Sequence, residues 1–279
     1  ALGRVITERR HVEGGGDCTF TYAYNEQGQL ARVTYPGGLA VDYRYDAGGY
    51  KTAVSVGDRV ICSLDSADGL RSRTTLLGKL SLVQASDSRG YEVCRELRHG
   101  QTVLERLTLD HDGATGNLLS RRRDGDSTET FGYDDLDRLV SVKQDGRETL
   151  RMTYAPNGNI LSKTGVGAFS YDAEARPHAV TEVENDDGSI PSSELLTAFG
   201  DLNRIETVED EGQGLKQTFA YGPDRQRWLS VLSRGGKETR RTVYAGAYER
   251  MTEGGHTREY YYLDGNILAI RENGTVNYY

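Results

Sequence analysis

The side chains that could do chemistry are plentiful in this chain but dispersed. Five histidines (His11, His99, His111, His178 and His256) share none of the short spacings that bring imidazoles onto one metal. They read as surface or strand-packing residues. Asp110-His111-Asp112-Gly113 and Asp124-Gly125-Asp126 could offer oxygens to calcium, and Gly14-Gly15-Gly16-Asp17 touches on a calcium-binding nonapeptide repeat. None completes an EF-hand pattern, so turn chemistry is the better reading of all three. Asp134, Asp135 and Asp137 could mimic the carboxylate pair of glycoside hydrolysis. They belong to a recurring motif, which again favours a turn. There is no Gly-x-Ser-x-Gly elbow, phosphate-binding loop or dinucleotide fingerprint. Cys18, Cys62 and Cys94 are an odd number, far apart, and read as buried small apolar residues. Trp228 is expected to pack in a core or line a wall rather than to stack a sugar. Asn273-Gly274-Thr275 is a glycosylation acceptor of the kind chance supplies in a chain this long. These residues point to no enzyme, no cofactor and no metal.

The elements that hold these residues are set by a repeat. An aromatic, an Asp or Asn, and a Gly or Asn recur along the chain. The motif runs through Tyr24 with Gly28, then Tyr45-Asp46 with Gly49, and Asp110 with Gly116. It continues at Tyr133-Asp134, Tyr154 with Gly158-Asn159, and Tyr171-Asp172. Asp201, Tyr221 and Asp264-Gly265-Asn266 complete the series. The spacing is near twenty residues: Tyr24 to Tyr45 and Tyr133 to Tyr154 each span 45 − 24 = 154 − 133 = 21. One hairpin per unit fills that length, as two strands of about six residues and two turns. The aromatic ends a strand, Asp or Asn opens the turn as an Asx acceptor, and Gly takes the positive φ. An aliphatic residue then restarts the strand. Leu30 and Val33, Leu139 and Val142, and Ile205 and Val208 are each three apart. That offset puts them on opposite faces of a regular strand, so either both faces are partly covered or a bulge intervenes.

The fold class expected is all-β: consecutive antiparallel hairpins in a curved, spirally wound sheet over residues 1–279 as a single array. Repeats are weakest over about 51–107, although Leu76 to Val83 still looks strand-like. The polar, breaker-rich stretch 184–193 reads as an extended loop. No sustained helical periodicity appears.

Composition agrees. Gly (34 residues) and Tyr (18) are high in a chain of 279, as short strands and tight turns require. A net charge of −8 argues against a nucleic-acid partner, which would need a basic face. The local run Arg121-Arg122-Arg123 reads as a solvated strand end, with a phosphate or glycan contact as the alternative. No apolar run is long enough for a membrane span. The chain opens at Ala1 without a charged-then-apolar leader, as expected of a processed chain or an internal fragment.

These units resemble the YD repeats of the Rhs family, relatives of Tc-toxin shell components and teneurins. The likeness is carried by Tyr154-Ala-Pro-Asn-Gly-Asn-Ile-Leu-Ser-Lys163, Tyr221-Gly-Pro-Asp-Arg-Gln-Arg227 and the stretch from Tyr260 to Ile270. The resemblance implies a hollow shell that encloses a C-terminal toxin, in a secreted or cell-surface bacterial protein. Its partners would be its own C-terminal core and effector domain, neither present in this chain, so the family's self-cutting aspartates are not carried over. The rival reading is a cell-surface module binding glycans or another protein. Self-association through exposed strand edges, the Glu259 to Tyr279 edge above all, is also expected. Ala155 and Gly222 stand where the motif has Asp, and Arg225 where it has Gly, so those turns are expected to be built differently.

Overall fold

Short β-branched and aromatic runs broken by glycine cannot sustain a helix, and the chain pairs them as strands. The computed structural model describes residues 3–172, 174, 176–185, 195–199 and 204–279, with backbone alone at 176 and 195–199. Among these residues there is no α-helix, and one 3-10 turn lies at Pro36–Gly38. The motif residue Asp201 and all but 184 and 185 of the expected 184–193 loop lie outside the described residues.

The first strands are β1 (Thr7–Val12), β2 (Gly16–Tyr24), β3 (Leu30–Thr34), β4 (Ala40–Tyr45) and β5 (Lys51–Val56). Then come β6 (Arg59–Ala67), β7 (Arg71–Leu76), β8 (Leu80–Ser86), β9 (Glu92–His99), β10 (Thr102–His111) and β11 (Leu118–Arg123). They are followed by β12 (Thr128–Tyr133), β13 (Leu139–Gln144), β14 (Arg147–Tyr154), β15 (Ile160–Lys163), β16 (Gly167–Asp172) and β17 (Arg176–Glu184). The last are β18 (Leu195–Phe199), β19 (Ile205–Asp210), β20 (Leu215–Tyr221), β21 (Arg227–Arg234), β22 (Lys237–Tyr244), β23 (Tyr248–Glu253), β24 (His256–Leu263), β25 (Asn266–Glu272) and β26 (Thr275–Tyr278). The chain divides into two compact units, one made of residues 1–61 with 193–279 and the other of 62–192.

Within each unit, strands consecutive in sequence pair antiparallel, as hairpin follows hairpin. The all-β, antiparallel expectation is met. Two kinds of turn close the hairpins. One is tight, with two residues at positive φ, as at Asp145-Gly146, Asp264-Gly265 and Asn273-Gly274. This backbone matches the twist of the flanking strands. Asp264-Gly265 was expected to be an Asx turn. Instead Leu263 pairs directly with Asn266, and the Asp264 carboxylate reaches Lys51 at 2.9 Å. The Leu76–Val83 stretch also differs from expectation: Leu77 and Gly78 (φ +50° and +68°) form a tight turn inside it, and β8 starts at Leu80.

The unit of 1–61 and 193–279 has a true core. Val12, Val41, Val54, Val243, Tyr248 and Tyr261 are essentially fully buried. Gly15 is required there, because a Cβ would fall 2.8 Å from Val12 and 2.9 Å from Val243. Aromatic rings meet edge to face, with Tyr35 and Tyr261 5.7 Å apart at 82°, and Phe20 and Tyr248 extend the cluster. Glu259 anchors it: Tyr248 (2.6 Å) and Tyr261 (3.1 Å) donate hydroxyls to its carboxylate, and Arg271 donates at 3.1 Å. Burial keeps the Tyr248 and Tyr261 phenols protonated well above the ordinary tyrosine value. Cys18 is buried in this unit, as expected of a small apolar residue. Cys62 and Cys94, of the other unit, are only half-buried, which corrects that expectation for both.

In the unit of 62–192 the apolar residues are spread over a sheet and few are sequestered. Among its described residues Glu96, Val142 and Gly167 are the ones buried. Glu96 is held by Arg98 and by Arg106 at 2.6 Å, which keep its carboxyl below its usual range. The Arg121–Arg123 run is a solvated strand end laced to Glu129, Asp124 and Glu105.

Candidate functional site

The recurring feature of the fold is the longer turn, and its geometry is nearly constant. In each, the amide just after the aromatic donates to the carbonyl four residues on. Asn25 donates to Gln29 (2.9 Å), Asp46 to Tyr50 (3.0 Å), Asp134 to Arg138 (3.0 Å), Ala155 to Asn159 (2.8 Å) and Gly222 to Gln226 (2.9 Å). Four residues after the aromatic the backbone is left-handed. Gly28 (φ +82°), Gly49 (+86°) and Gly158 (+91°) hold this position, but Asp137 (+58°) and Arg225 (+60°) hold it too. The Ala155 and Gly222 turns therefore keep the same backbone path, and what differs in them is the capping side chain.

The turn needs one more acceptor, for the amide five residues after the aromatic. Asp46 supplies it to Tyr50 (2.9 Å), Asp134 to Arg138 (3.0 Å) and Asn25 to Gln29 (2.8 Å). Where that residue is Ala155 or Gly222, the job moves two positions along: Asn157 accepts from Asn159 (3.1 Å) and Asp224 from Gln226 (3.0 Å). Gly222 has its own cause. A Cβ there would lie 2.0 Å from the ring of Trp228, which packs over it.

The strand that leaves each turn carries a bulge. Tyr24 pairs with Leu30 but Ala23 with Arg32, so Ala31 has no partner across the pair. The same break leaves out Val140, Leu161 and Trp228. A bulge shifts parity by one, so Leu30 and Val33, or Leu139 and Val142, face the same side. That decides the alternative the sequence left open.

The bulge also explains the tyrosine. A carbonyl beside a bulge is turned out of the ladder and needs another donor. The hydroxyl of the next repeat's tyrosine supplies it. Tyr45 donates to Leu30 (2.9 Å), Tyr133 to Leu118 (2.9 Å), Tyr154 to Leu139 (2.9 Å), Tyr171 to Ile160 (2.8 Å) and Tyr221 to Ile205 (2.7 Å). Successive turns are tied as well. Gln29 donates to the Gly49 carbonyl (3.0 Å), Asn117 to Asp137 (2.7 Å), Arg138 to the Ala155 carbonyl (3.1 Å) and Asn159 to the Pro177 carbonyl (2.6 Å).

Two motif assignments change. Asp110 lies on β10 opposite Ser120; the turn acceptor is Asp112, which takes the amides of Ala114 and Thr115 at 2.8 Å, while Gly116 (φ +80°) holds the left-handed position. Asp87, which the motif reading did not pick out, makes a full turn after Ser86, accepting from Arg89 (2.9 Å) and Tyr91 (3.1 Å). Its signal was Asp87-Ser-Arg-Gly90 without an aromatic ahead of it. Asp172 ends β16 and accepts from the Glu174 amide at 2.9 Å, and Asn266 opens β25.

This arrangement builds structure. A general acid must keep its proton near neutral pH. The Arg138 side chain beside Asp134 instead holds its carboxyl below the ordinary value, and the same holds for Asp87 beside Arg89. Burial raises the Glu249 carboxyl, and a hydrogen bond with Tyr262 of β24 partly offsets the rise. His11 binds Asp17 (2.8 Å), His178 binds Asn159 (2.8 Å) and His111 stacks on Tyr91 (5.2 Å). No group of three metal-ligating side chains occurs among the described residues. No helix among them is long and apolar enough to cross a membrane.

A family model described as RHS Repeat matches residues 24–61. Toxin protein Tse5 of Pseudomonas aeruginosa is 26% identical over 216 residues, which cover 72% of this chain and 16% of that protein. The tRNA3(Ser)-specific nuclease WapA of Bacillus spizizenii is 24% identical over 238 residues, 79% of this chain and 10% of that protein. The solved TcdB2-TccC3 structure is similar with a TM-score of 0.69 at 14% identity, over 99% of this chain and 18% of the other. The Tc holotoxin pore of Photorhabdus luminescens gives 0.62 at 16% identity, over 88% of this chain and 15% of the other. The chain thus spans only a small part of each relative, and the likeness to the solved structures is one of fold.

Proposed function

Because this chain belongs to the Rhs/YD-repeat family, we propose that it is a stretch of shell wall, a non-catalytic scaffold that encloses an effector carried by the same polypeptide and helps deliver it. Its role is structural, and residues 1–279 act as one hairpin array. The observation that carries this reading is the double stitching of the repeats. Around Tyr45, Tyr133, Tyr154 and Tyr171, one hairpin is bound to the next by its strand ladder, by a tyrosine hydroxyl on a bulge carbonyl, and by a side chain that reaches across to the following repeat. Such redundancy suits a wall that must hold over many hairpins without a deep core. The cellular setting that goes with it is secreted or at the cell surface. The motif residues serve as turn closers and ties, not as ligands for a substrate.

Limited proteolysis of the full-length polypeptide tests this. The effector portion should resist digestion while the hairpins stay folded, and should be cut once the ties at Tyr133, Tyr154 and Tyr171 are removed together as Phe. An effector digested as fast inside the intact polypeptide as on its own would overturn the enclosing role. Turnover by this chain that one Asp→Asn change abolishes would overturn the non-catalytic one.

A further inference from the structure

Four arginines converge on an open depression of about 600 Å³ in the unit of 1–61 and 193–279. Arg225 comes from the turn between β20 and β21, Arg227 from the first position of β21, Arg204 from the residue before β19, and Arg10 from β1. Tyr221 and Tyr244 add rings and Gly246 the floor. Arg10 is committed, to Glu8 at 2.6 Å and towards Asp224 at 3.7 Å. The Arg227 guanidinium lies over Phe219 at 4.2 Å and faces Tyr244 at 6.0 Å. The side chains of Arg204 and Arg225 have no hydrogen-bond or ion-pair partner among the described residues. Among the described residues the lining therefore carries four positive charges against one negative, Asp224, in a chain whose net charge is −8.

The backbone at Arg225 gives a second reason to look here. It sits at φ +60°, in the left-handed position that Gly28, Gly49 and Gly158 hold in the other turns. A side chain there is tolerated at a conformational cost. Asp137, the other exception, uses its side chain to hold Asn117. The Arg225 side chain holds no other side chain or carbonyl among the described residues.

We propose that this depression is a binding site for a multiply charged oxyanion, a phosphate or sulfate group received by Arg204 and Arg225 with Arg227 and Arg10 beside them. Guanidinium forks suit such groups because their paired N–H donors match the spacing of two oxyanion oxygens. Arg227, fixed by two rings, is preorganised, and the free heads of Arg204 and Arg225 close on the ligand. The chemistry is shared by free phosphate compounds and by sulfated sugars, so both are probes.

Calorimetry at low ionic strength, with inorganic pyrophosphate in one arm and a sulfated disaccharide in the other, tests the site. The parent should bind at least one probe, and the arm that binds more tightly names the source. Arg225→Gly should weaken binding about tenfold, the loss of one charge-assisted hydrogen bond. It should melt no lower than the parent, because glycine suits that backbone. Arg204→Gln should weaken binding likewise. Arg258→Gln, which removes a charge paired with Glu272 away from the depression, should leave binding unchanged. No heat in either arm, an Arg225→Gly variant that binds like the parent, or equal weakening by Arg258→Gln would overturn the assignment.

Discussion

Removing one oxygen atom isolates the tie between repeats. Tyr154→Phe keeps the ring and deletes the hydroxyl that donates to the Leu139 carbonyl at 2.9 Å. Tyr133→Phe and Tyr171→Phe do the same at Leu118 and Ile160. A buried or half-buried hydrogen bond contributes about 1 kcal/mol net, and a carbonyl left without a donor moves the loss toward the top of a range of roughly 1–3 kcal/mol. Tyr133 and Tyr154 are on β12 and β14, two strands apart, so roughly 10 Å separates them across the sheet. At that distance the losses should add to within about half a kcal/mol. The triple variant should therefore lose about 3 kcal/mol or somewhat more.

The assay is urea unfolding of each variant. With a urea slope of about 1–3 kcal/mol/M, each single change should move the midpoint down by roughly 0.3–1 M. Tyr50→Phe is the control, because Tyr50 is 72% exposed and its hydroxyl makes no bond in the structure. It should unfold like the parent. If Tyr154→Phe also unfolds like the parent, the hydroxyl bond is only a neighbourly contact and the account of the tyrosine is wrong. If Tyr50→Phe loses as much as Tyr154→Phe, the loss is a general effect of removing phenols, and the same account fails.

Three further outcomes follow from the turns. Asn157→Ala should cost about 1 kcal/mol by freeing the Asn159 amide, and adding Ala155→Asp should recover most of it, since either position can supply the acceptor; urea midpoints of the two variants decide. Gly158→Val should cost roughly 1–3 kcal/mol from backbone strain alone, because φ is +91° and a Cβ there would meet no other atom within 4 Å; a thermal melt equal to the parent's would contradict this. Asp134, Asp87 and Asp112 have carboxyls held below their ordinary value, by Arg138, by Arg89, and by the Thr115 and Ala114 amides respectively. A lowered folded pKa gives stability that is present above the unfolded value of 3.8 and lost as pH falls through the folded value. Urea midpoints should therefore hold down to about pH 4 and drop below it, and Asp134→Asn should make that drop shallower.

The period and turn residues were legible in the sequence because glycine at positive φ and Asx capping act locally. Tyr24 with Gly28 and Tyr45-Asp46 with Gly49 announce hairpins without help from distant residues. The bulges left only a trace, the three-residue offset of Leu30 and Val33, because a strand's pairing partner decides whether such an offset is a bulge. The tyrosine hydroxyl was illegible for the same reason, since its acceptor is a carbonyl one repeat back. Asp110 was mistaken for Asp112 because that turn is one residue longer, with His111 paired to Leu118 rather than to a residue six along. Asp87 was passed over because Ser86 stands in place of the aromatic. The Glu259 cluster was missed entirely, since it joins Arg271 on β25 to the Gly37 carbonyl, 234 residues away in sequence.

These misses share a cause that bears on how such repeats drift. Each turn is fixed by two backbone hydrogen bonds, one capped amide, one left-handed residue and one hydroxyl tie. Any single element can be lost while the others hold the path. Ser86 gives up the tyrosine, Ala155 and Gly222 give up the aspartate, and Asp137 and Arg225 give up the glycine, yet the backbone bonds that close those turns stay between 2.8 and 3.0 Å. Losing the aspartate is compensated by Asn157 or Asp224, two positions on. Losing the glycine puts a side chain into open space at the turn's outer corner, where Asp137 ties the neighbouring turn and Arg225 is left free. Redundancy in the wall thus makes the corner residue available for other work. The left-handed corner is consequently where sequence differences between repeats should carry function, and the strand interiors are where they should carry only packing.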